Sequence, residues 1–380
     1  MDWNAIRDEF PVTRRWAFLD HAAVAPITAA AARAIREYTD DYAENGGTAV
    51  VRWVARIEAA RQSAGRLLNA DPLDIAFVPN TSAGVAIVAE GFPWKAGDNV
   101  VVPAEEYPAN QYPWMNLAHR GVEVRRIPSR GSRVAIDDLR AAIDGRTRIL
   151  AISSVEFASG YRNDLDAIGS LCRERGVYLF VDAIQSLGVF PLDVQKTPVD
   201  WIAADGHKWL LGPEGAGIFW CRRDLVEMLH PTTVGWKSVV HETDFSRIDF
   251  TLKPHAGRWE GGTPNVSGIA GLGASLDLLL NIGIDAVAER VLSLTDHLCE
   301  QARRAGLDVF SSRRNGEKSG IVSLELPGVV DVKAVVAKCR AAGVVVNRRS
   351  GRLRVSPHCY NTPDELDRLI ETTKKTELSL

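Results

Sequence analysis

The chain has 380 residues, of which 46% are hydrophobic and 24% charged. At about 150 residues per domain, that length suits two or three units sharing buried surface. A formal charge of −3 gives no basic field for nucleic acid or anionic lipid, no apolar run reaches the roughly 18 residues of a membrane helix, and the opening MDWNAIRDEF has no secretory core.

In chain order, residues 28–70 are rich in Ala, Arg and Glu and predict two helices broken at Asn45-Gly46-Gly47. Short apolar runs then alternate with helical stretches. Strands are predicted at 75–78, 99–102, 122–127, 148–153, 177–182, 201–203 and 216–220, with a helix over 163–174. Strands rich in Val, Ile and Leu alternating with helices indicate an α/β unit with a mainly parallel, seven-stranded sheet covered on both faces. Around 254–268 the chain becomes rich in Gly and Pro. Beyond it, apolar runs at 321–326, 344–346 and 353–355 and helices at 332–342 and 363–373 predict a smaller α+β unit. The expected division is an N-terminal segment (1–27) near the small unit and the site, a large domain (28–260) and a small C-terminal domain (261–380).

Five cysteines, at 172, 221, 299, 339 and 359, form no C-x-x-C or zinc-type pair. Free thiols in a reducing cytoplasm are expected, without a disulfide framework or a metal. The chain also lacks G-x-G-x-x-G, G-x-x-x-x-G-K-[ST], H-E-x-x-H and G-x-S-x-G.

The informative stretch is 181–220, VDAIQSLGVFPLDVQKTPVDWIAADGHKWLLGPEGAGIFW. Asp182 ends an apolar run. A carboxylate at the C-terminal end of a parallel strand faces the crevice where α/β proteins bind ligands. Lys208 follows a second apolar run, in the word DGHK. A lysine in an apolar pocket has a lowered amine pKa and becomes nucleophilic. Singly, the aspartate reads as a cap and the lysine as a solvated loop residue. Together, with Gln185 and His207 beside them, they read as a site.

The D-A-x-Q…A-D-G-H-K pattern resembles the class V aminotransferases of the fold-type I pyridoxal 5'-phosphate (PLP) enzymes, a group that includes cysteine desulfurases, selenocysteine lyases, cystine C–S lyases and isopenicillin-N-epimerase-like proteins. The resemblance runs from about Phe18 to the C-terminus. It implies that Lys208 holds PLP as a Schiff base, that Asp182 pairs with the pyridinium nitrogen, that Gln185 donates to the phenolic oxygen and that His207 contacts the phosphate. Asn80-Thr81-Ser82 precedes the helical run SAGVAIVAE, and a helix N-terminus suits a phosphate. The resemblance assigns Thr81 and Ser82 to it. In EEYPANQYPW, Tyr107 stands where the desulfurases stack a histidine on the ring. In WEGGTPNVSGIAGL, Thr263 would reach the neighbouring subunit's phosphate, which makes the protein a homodimer with shared active sites.

The run NRRSGRLRVSPHCYNTPDEL packs Arg348, Arg349, Arg352 and Arg354 into seven positions. Arg354 matches the family's binder of the substrate α-carboxylate, a contact its planar fork suits. The other three are expected on a solvated surface. His21, in FLDHAAVAPI, could line the substrate pocket or belong to a loop without ligand contact.

The chain departs from thiol-based desulfurases in one loop. Their R-x-G-x-x-C word has no counterpart ahead of Arg354, and Cys359 falls beyond it. Phe157 also replaces a polar side chain common near the cofactor. The expected enzyme therefore deprotonates an amino acid at Cα through PLP and Lys208, with desulfurase-like or C–S lyase-type chemistry. An aminotransferase or epimerase is the alternative, and a non-catalytic PLP-binding module the remote one.

Overall fold

A computed structural model describes residues 1–131, 133–326 and 331–377. The chain opens into two long helices, α1 (Ala29–Asn45) and α2 (Val50–Leu68). Thr28 caps the first, accepting at its Oγ from Ala31 N at 2.9 Å. The break falls at the predicted glycines: Gly46 has φ +53°, a conformation that glycine adopts without strain.

Seven strands follow: β1 (Ile75–Val78), β2 (Asn99–Pro103), β3 (Glu123–Ile127), β4 (Thr147–Ser153), β5 (Tyr178–Asp182), β6 (Trp201–Asp205) and β7 (Gly217–Cys221). They form one sheet in the order β1-β7-β6-β5-β4-β2-β3. Only β7 runs antiparallel to its neighbours. Six strands are near-continuous apolar runs because both faces are buried, whereas the edge strand β3, EVRRI, is only partly covered. Val101, Leu150, Ile152, Val181 and Ile202 pack on one side. Val100, Val102, Ala151, Phe180 and Ala203 pack on the other.

The helix Thr81–Gly91 starts directly after β1 and lies very close to β6. A Cβ placed on Gly84 would sit 2.6 Å from Ala203 Cβ, so only glycine permits this approach. The close contact sets where the helix N-terminus projects past the carboxyl edge of the sheet.

A second, antiparallel sheet holds Asp308–Val309, Val322–Glu325, Asn347–Arg349 and Arg352–Val355. Helices Ile284–Arg304, Val332–Ala341 and Pro363–Glu377 contribute Leu298, Val335 and Leu369 to its core. One predicted run is paired differently. Val344–Val345 lies outside this sheet and pairs in parallel with Ala17–Phe18 near the N-terminus. Its edge partner comes from the far end of the sequence, which local patterning does not reveal. Among the described residues no single helix is long and apolar enough to cross a membrane.

Gly84→Ala tests the helix-to-sheet approach. On an exposed helix this change gains about 1 kcal/mol of propensity. Here the added methyl overpacks a closed interface, and a loss of about 1–3 kcal/mol is expected by denaturant unfolding.

Candidate active site

The carboxyl ends of the parallel strands deliver the polar groups to one crevice, as open α/β sheets do. β5 ends at Asp182, β4 at Ser153 and β6 at Asp205. The turn after β6 carries Gly206, His207 and Lys208. Trp209 pins this turn: its ring is buried and its Nε1 donates to Gln185 Oε1 at 2.9 Å. Thr81 ties the helix start to the same turn, its Oγ accepting from Asp205 N at 3.0 Å.

These groups line a cavity of about 250 Å³. Lys208 is 7% exposed and Asp182 1%. Burial lowers the Lys208 amine to about 8. Asp182 opposes that shift, whereas Arg354 and Arg349 add to it. Burial raises Asp182 to about 6, against the restraint of Ile184 N at 3.0 Å and of Lys208. The pair thus holds an amine that is partly free base near neutrality beside an acid that ionises readily when a cation faces it.

Of the predicted residues, the structure brings Lys208, Asp182, Thr81, Ser82, Tyr107, Gln185, His207 and Arg354 to this one cavity. Tyr107 is 44% exposed, which excludes a core role, and Lys208 Nζ lies 5.4 Å from its ring centroid. Phe157 meets the Tyr107 ring edge-on at 5.2 Å and lines the same space. Gln185 Nε2 donates to Ala22 O at 3.1 Å and keeps a second N–H for the cavity. His207 Nδ1 lies 2.9 Å from Asp205 Oδ2. Arg354 is buried, with Nη2 3.1 Å from Asp20 Oδ1 and Nη1 donating to Phe157 O at 3.0 Å. Its Nε has no protein partner.

Two predicted residues lie elsewhere. His21 is fully buried, with Nδ1 2.8 Å from Ser356 O and Nε2 2.7 Å from Tyr360 Oη. Both ring nitrogens are spent on packing, so its neighbours Ala22–Val24 line the cavity instead. Thr263 occupies a separate cleft beside Gly215 and Asn265. The arginine run also needs correction. Arg348 is exposed, but Arg349 lines the cavity, and Arg352 pairs with Glu325 at 2.8 Å with its guanidinium 3.4 Å from the Phe310 ring centroid. Arg349 and Arg352 are register partners on one face of the hairpin and Arg348 is on the other, and the count of arginines alone does not give that register.

Sequence reasoning passed over two buried acids. Glu106 and Glu156, in the words EEYP and SVEF, stand behind Asp182. Glu106 accepts from Ser153 N and Oγ. Asn163 Nδ2 donates to Glu156 Oε1 at 2.9 Å and to Ser153 O at 2.7 Å. Neither word carried a spacing signal.

The donor set suits an anionic, aromatic ligand with a cationic nitrogen: a helix start with hydroxyls at one end, a buried carboxyl in the middle and an amine within reach. Three comparisons agree with that set. Residues 17–369 match the family model described as aminotransferase class-V. A probable cysteine desulfurase of Methanothermobacter thermautotrophicus is 30% identical, over 97% of each chain. The cysteine desulfurase CsdA of Escherichia coli superposes with a TM-score of 0.89 at 28% identity, over 100% of this chain and 99% of that one. The cystine C–S lyase C-DES shares the fold, with a TM-score of 0.91 at 23% identity over 96% and 99% of the two chains.

In the ligand-free protein, acylation of Lys208 should be half-maximal near pH 8, well below an ordinary lysine near 10.4. Asp182→Asn removes the charge that favours the ammonium, so that midpoint should move to lower pH. Mass-spectrometric labelling of Lys208 across pH reads both shifts.

Proposed function

The chain belongs to the class V aminotransferase family of PLP-dependent enzymes, and from that premise we propose that it cleaves a carbon–sulfur bond in an amino acid, with desulfurase-like or C–S lyase-type chemistry and no catalytic thiol. The observation that carries this reading is the buried Lys208–Asp182 pair in a cavity that no cysteine lines. All five cysteines are free and buried, and burial pushes the Cys359 thiol up to about 12. A thiol in that state is a poor nucleophile, so it cannot take up the sulfur.

The residues present fit PLP. Lys208 would hold it through its amine, Asp182 at the ring nitrogen and Gln185 at the phenolic oxygen. Thr81, Ser82 and His207 would hold the phosphate, and Tyr107 would cover the ring. Two polar atoms without protein hydrogen bonds, His207 Nδ1 and Arg354 Nε, are consistent with a polar ligand. When bound, PLP supplies an electron-poor ring that drains electrons from the substrate Cα.

The chain does the rest. Arg354 orients the substrate α-carboxylate, and its pairing with Asp20 fixes the guanidinium before substrate arrives. Lys208 Nζ takes the Cα proton, because an amine titrating near 8 is a sufficient base at neutral pH and still returns the proton. Asp182 remains anionic opposite a cation. Phe157 and Ala22–Val24 supply apolar wall to the space. The Cβ–S bond then breaks, the sulfur leaving with the bonding electrons and taking up the proton that Lys208 returns, while the carbon skeleton keeps a Cα–Cβ double bond.

We also read the protein as a homodimer of the reducing cytoplasm. Thr263 lies outside its own chain's cavity, as a residue serving a neighbour would, and Phe245, Ile248 and Phe250 are exposed together. Five free thiols fit a reducing compartment.

Borohydride reduction should trap the cofactor on the native chain, and Lys208→Ala should lose that adduct. An adduct surviving in the variant rejects the lysine assignment. Arg354→Ala should raise KM for amino acids roughly 10–100-fold, since a hydrogen bond to a charged group contributes about 1.5–3 kcal/mol. Incubation with cysteine and cystine should release sulfide or persulfide without an added keto acid. Oxo-acid formation only in the presence of an acceptor rejects the carbon–sulfur reading in favour of transamination.

A further inference from the structure

Three carboxyl groups meet behind the cavity. Asp182, Glu106 and Glu156 are each 5% exposed or less, and among the described residues no Lys, Arg or His forms an ion pair with any of them. Their backbones are locked together: Ser153 is the register partner of Asp182, and Ser154 N donates to Asp182 O at 2.9 Å. Ser153 also donates to Glu106, and Asn163 joins Ser153 to Glu156. The acids cannot move apart without breaking this frame.

Three buried anions at such proximity repel one another strongly, and ordinary burial of even one unpaired carboxylate is costly. Protons must therefore reside in the cluster. Glu156 shows where: its Oε2 is buried with no hydrogen-bond partner, while Oε1 accepts from Asn163. A bare carboxylate oxygen in that position would have nothing to stabilise its charge. Glu156 also borders an outer cleft with Glu105 and Phe157, which gives its proton a route to solvent.

We propose that Glu156 is a positioning residue that stays protonated as a neutral acid, which limits the negative charge behind Asp182 and leaves Asp182 as the anion presented to the cofactor nitrogen. This rests on the assignment of Asp182 under the function proposed above. If Glu156 ionised, its charge would raise the proton affinity of Asp182 and tend to leave a neutral acid facing the ring nitrogen. The groups around Glu156 are Asp182, Glu105, Glu106 and Tyr161, with Arg352 lining the same outer cleft and Lys208 across the cavity beyond Asp182. Burial, then the neighbouring carboxyls, pushes Glu106 well up. Burial raises Glu156 to about 8, partly offset by the Asn163 bond and reinforced by Asp182 and Glu105.

The sign for stability follows. An acid raised from 4.5 to about 8 binds more protons in the native state between those values, so it loses stability as pH climbs through that window. Glu156→Gln, which fixes the neutral form, should therefore leave the unfolding midpoint of the cofactor-free protein unchanged near pH 4.5. It should raise that midpoint increasingly toward pH 8, with no further gain above. A difference that does not vary with pH overturns the proposal. If the variant does not fold, infrared spectroscopy of the native chain replaces it: a protonated-carboxyl band at pH 7 that fades on alkaline titration supports the assignment, and its absence at pH 7 overturns it. In the holoenzyme, Glu156→Gln should remove an alkaline transition from the absorbance of bound cofactor. A chain that binds no cofactor defeats the proposed function, whereas the carboxyl titration of the cofactor-free protein tests Glu156 separately.

Discussion

The structure depends on keeping one amine dry. Lys208 is withdrawn from water at the end of a turn, and its neighbours decide how much basicity it keeps. Two arginines on one side and Asp182 on the other pull in opposite directions. Removing water makes each of these charges felt more strongly, since the same pair in bulk solvent would interact several-fold more weakly. The packing around the turn is therefore part of the chemistry. Trp209 buries its indole against the core and anchors Gln185, and Thr81 clasps the backbone of Asp205. Neither contact involves a reacting atom, yet both fix where the amine emerges.

The same economy of water shapes the sulfur side of the reaction. A desulfurase that parks sulfur on its own thiol needs a cysteine that is exposed, mobile and of low pKa. This chain offers the opposite: five buried thiols, with Cys359 packed beneath the site and pushed up to about 12. Phe157 takes space beside Tyr107 where a polar group would invite solvent. The cavity is aromatic on that wall, where Phe157 meets Tyr107.

Much of this was legible in the linear chain. All seven strands of the main sheet lie within a residue or two of the predicted runs, and the six buried on both faces carry a near-continuous apolar signature that β3, EVRRI, lacks. Asp182 and Lys208 stood out because each closes such a run. What failed to show is long-range or register-dependent. The Ala17–Phe18 pairing with Val344–Val345 joins segments far apart in sequence. Arg349 and Arg352 face each other across the hairpin, yet only Arg349 reaches the cavity while Arg352 turns to Glu325, which no local pattern reveals. His21 sits next to cavity residues but points its ring into the core. Glu106 and Glu156 read as surface acids, since nothing local says that Ser153 and Asn163 will enclose them.

The ion pair of Asp20 with Arg354 spans 334 positions of the chain. During synthesis the large sheet can assemble while the last residues are still inside the ribosome, but Asp20 has no partner until nearly the whole polypeptide has emerged. Contacts of such separation form slowly, because loop closure must come first. Arg354 is thus among the last side chains to gain its partner, and a nascent or truncated chain has the sheet edge that carries Lys208 and Asp182 before it has the buried arginine beside them.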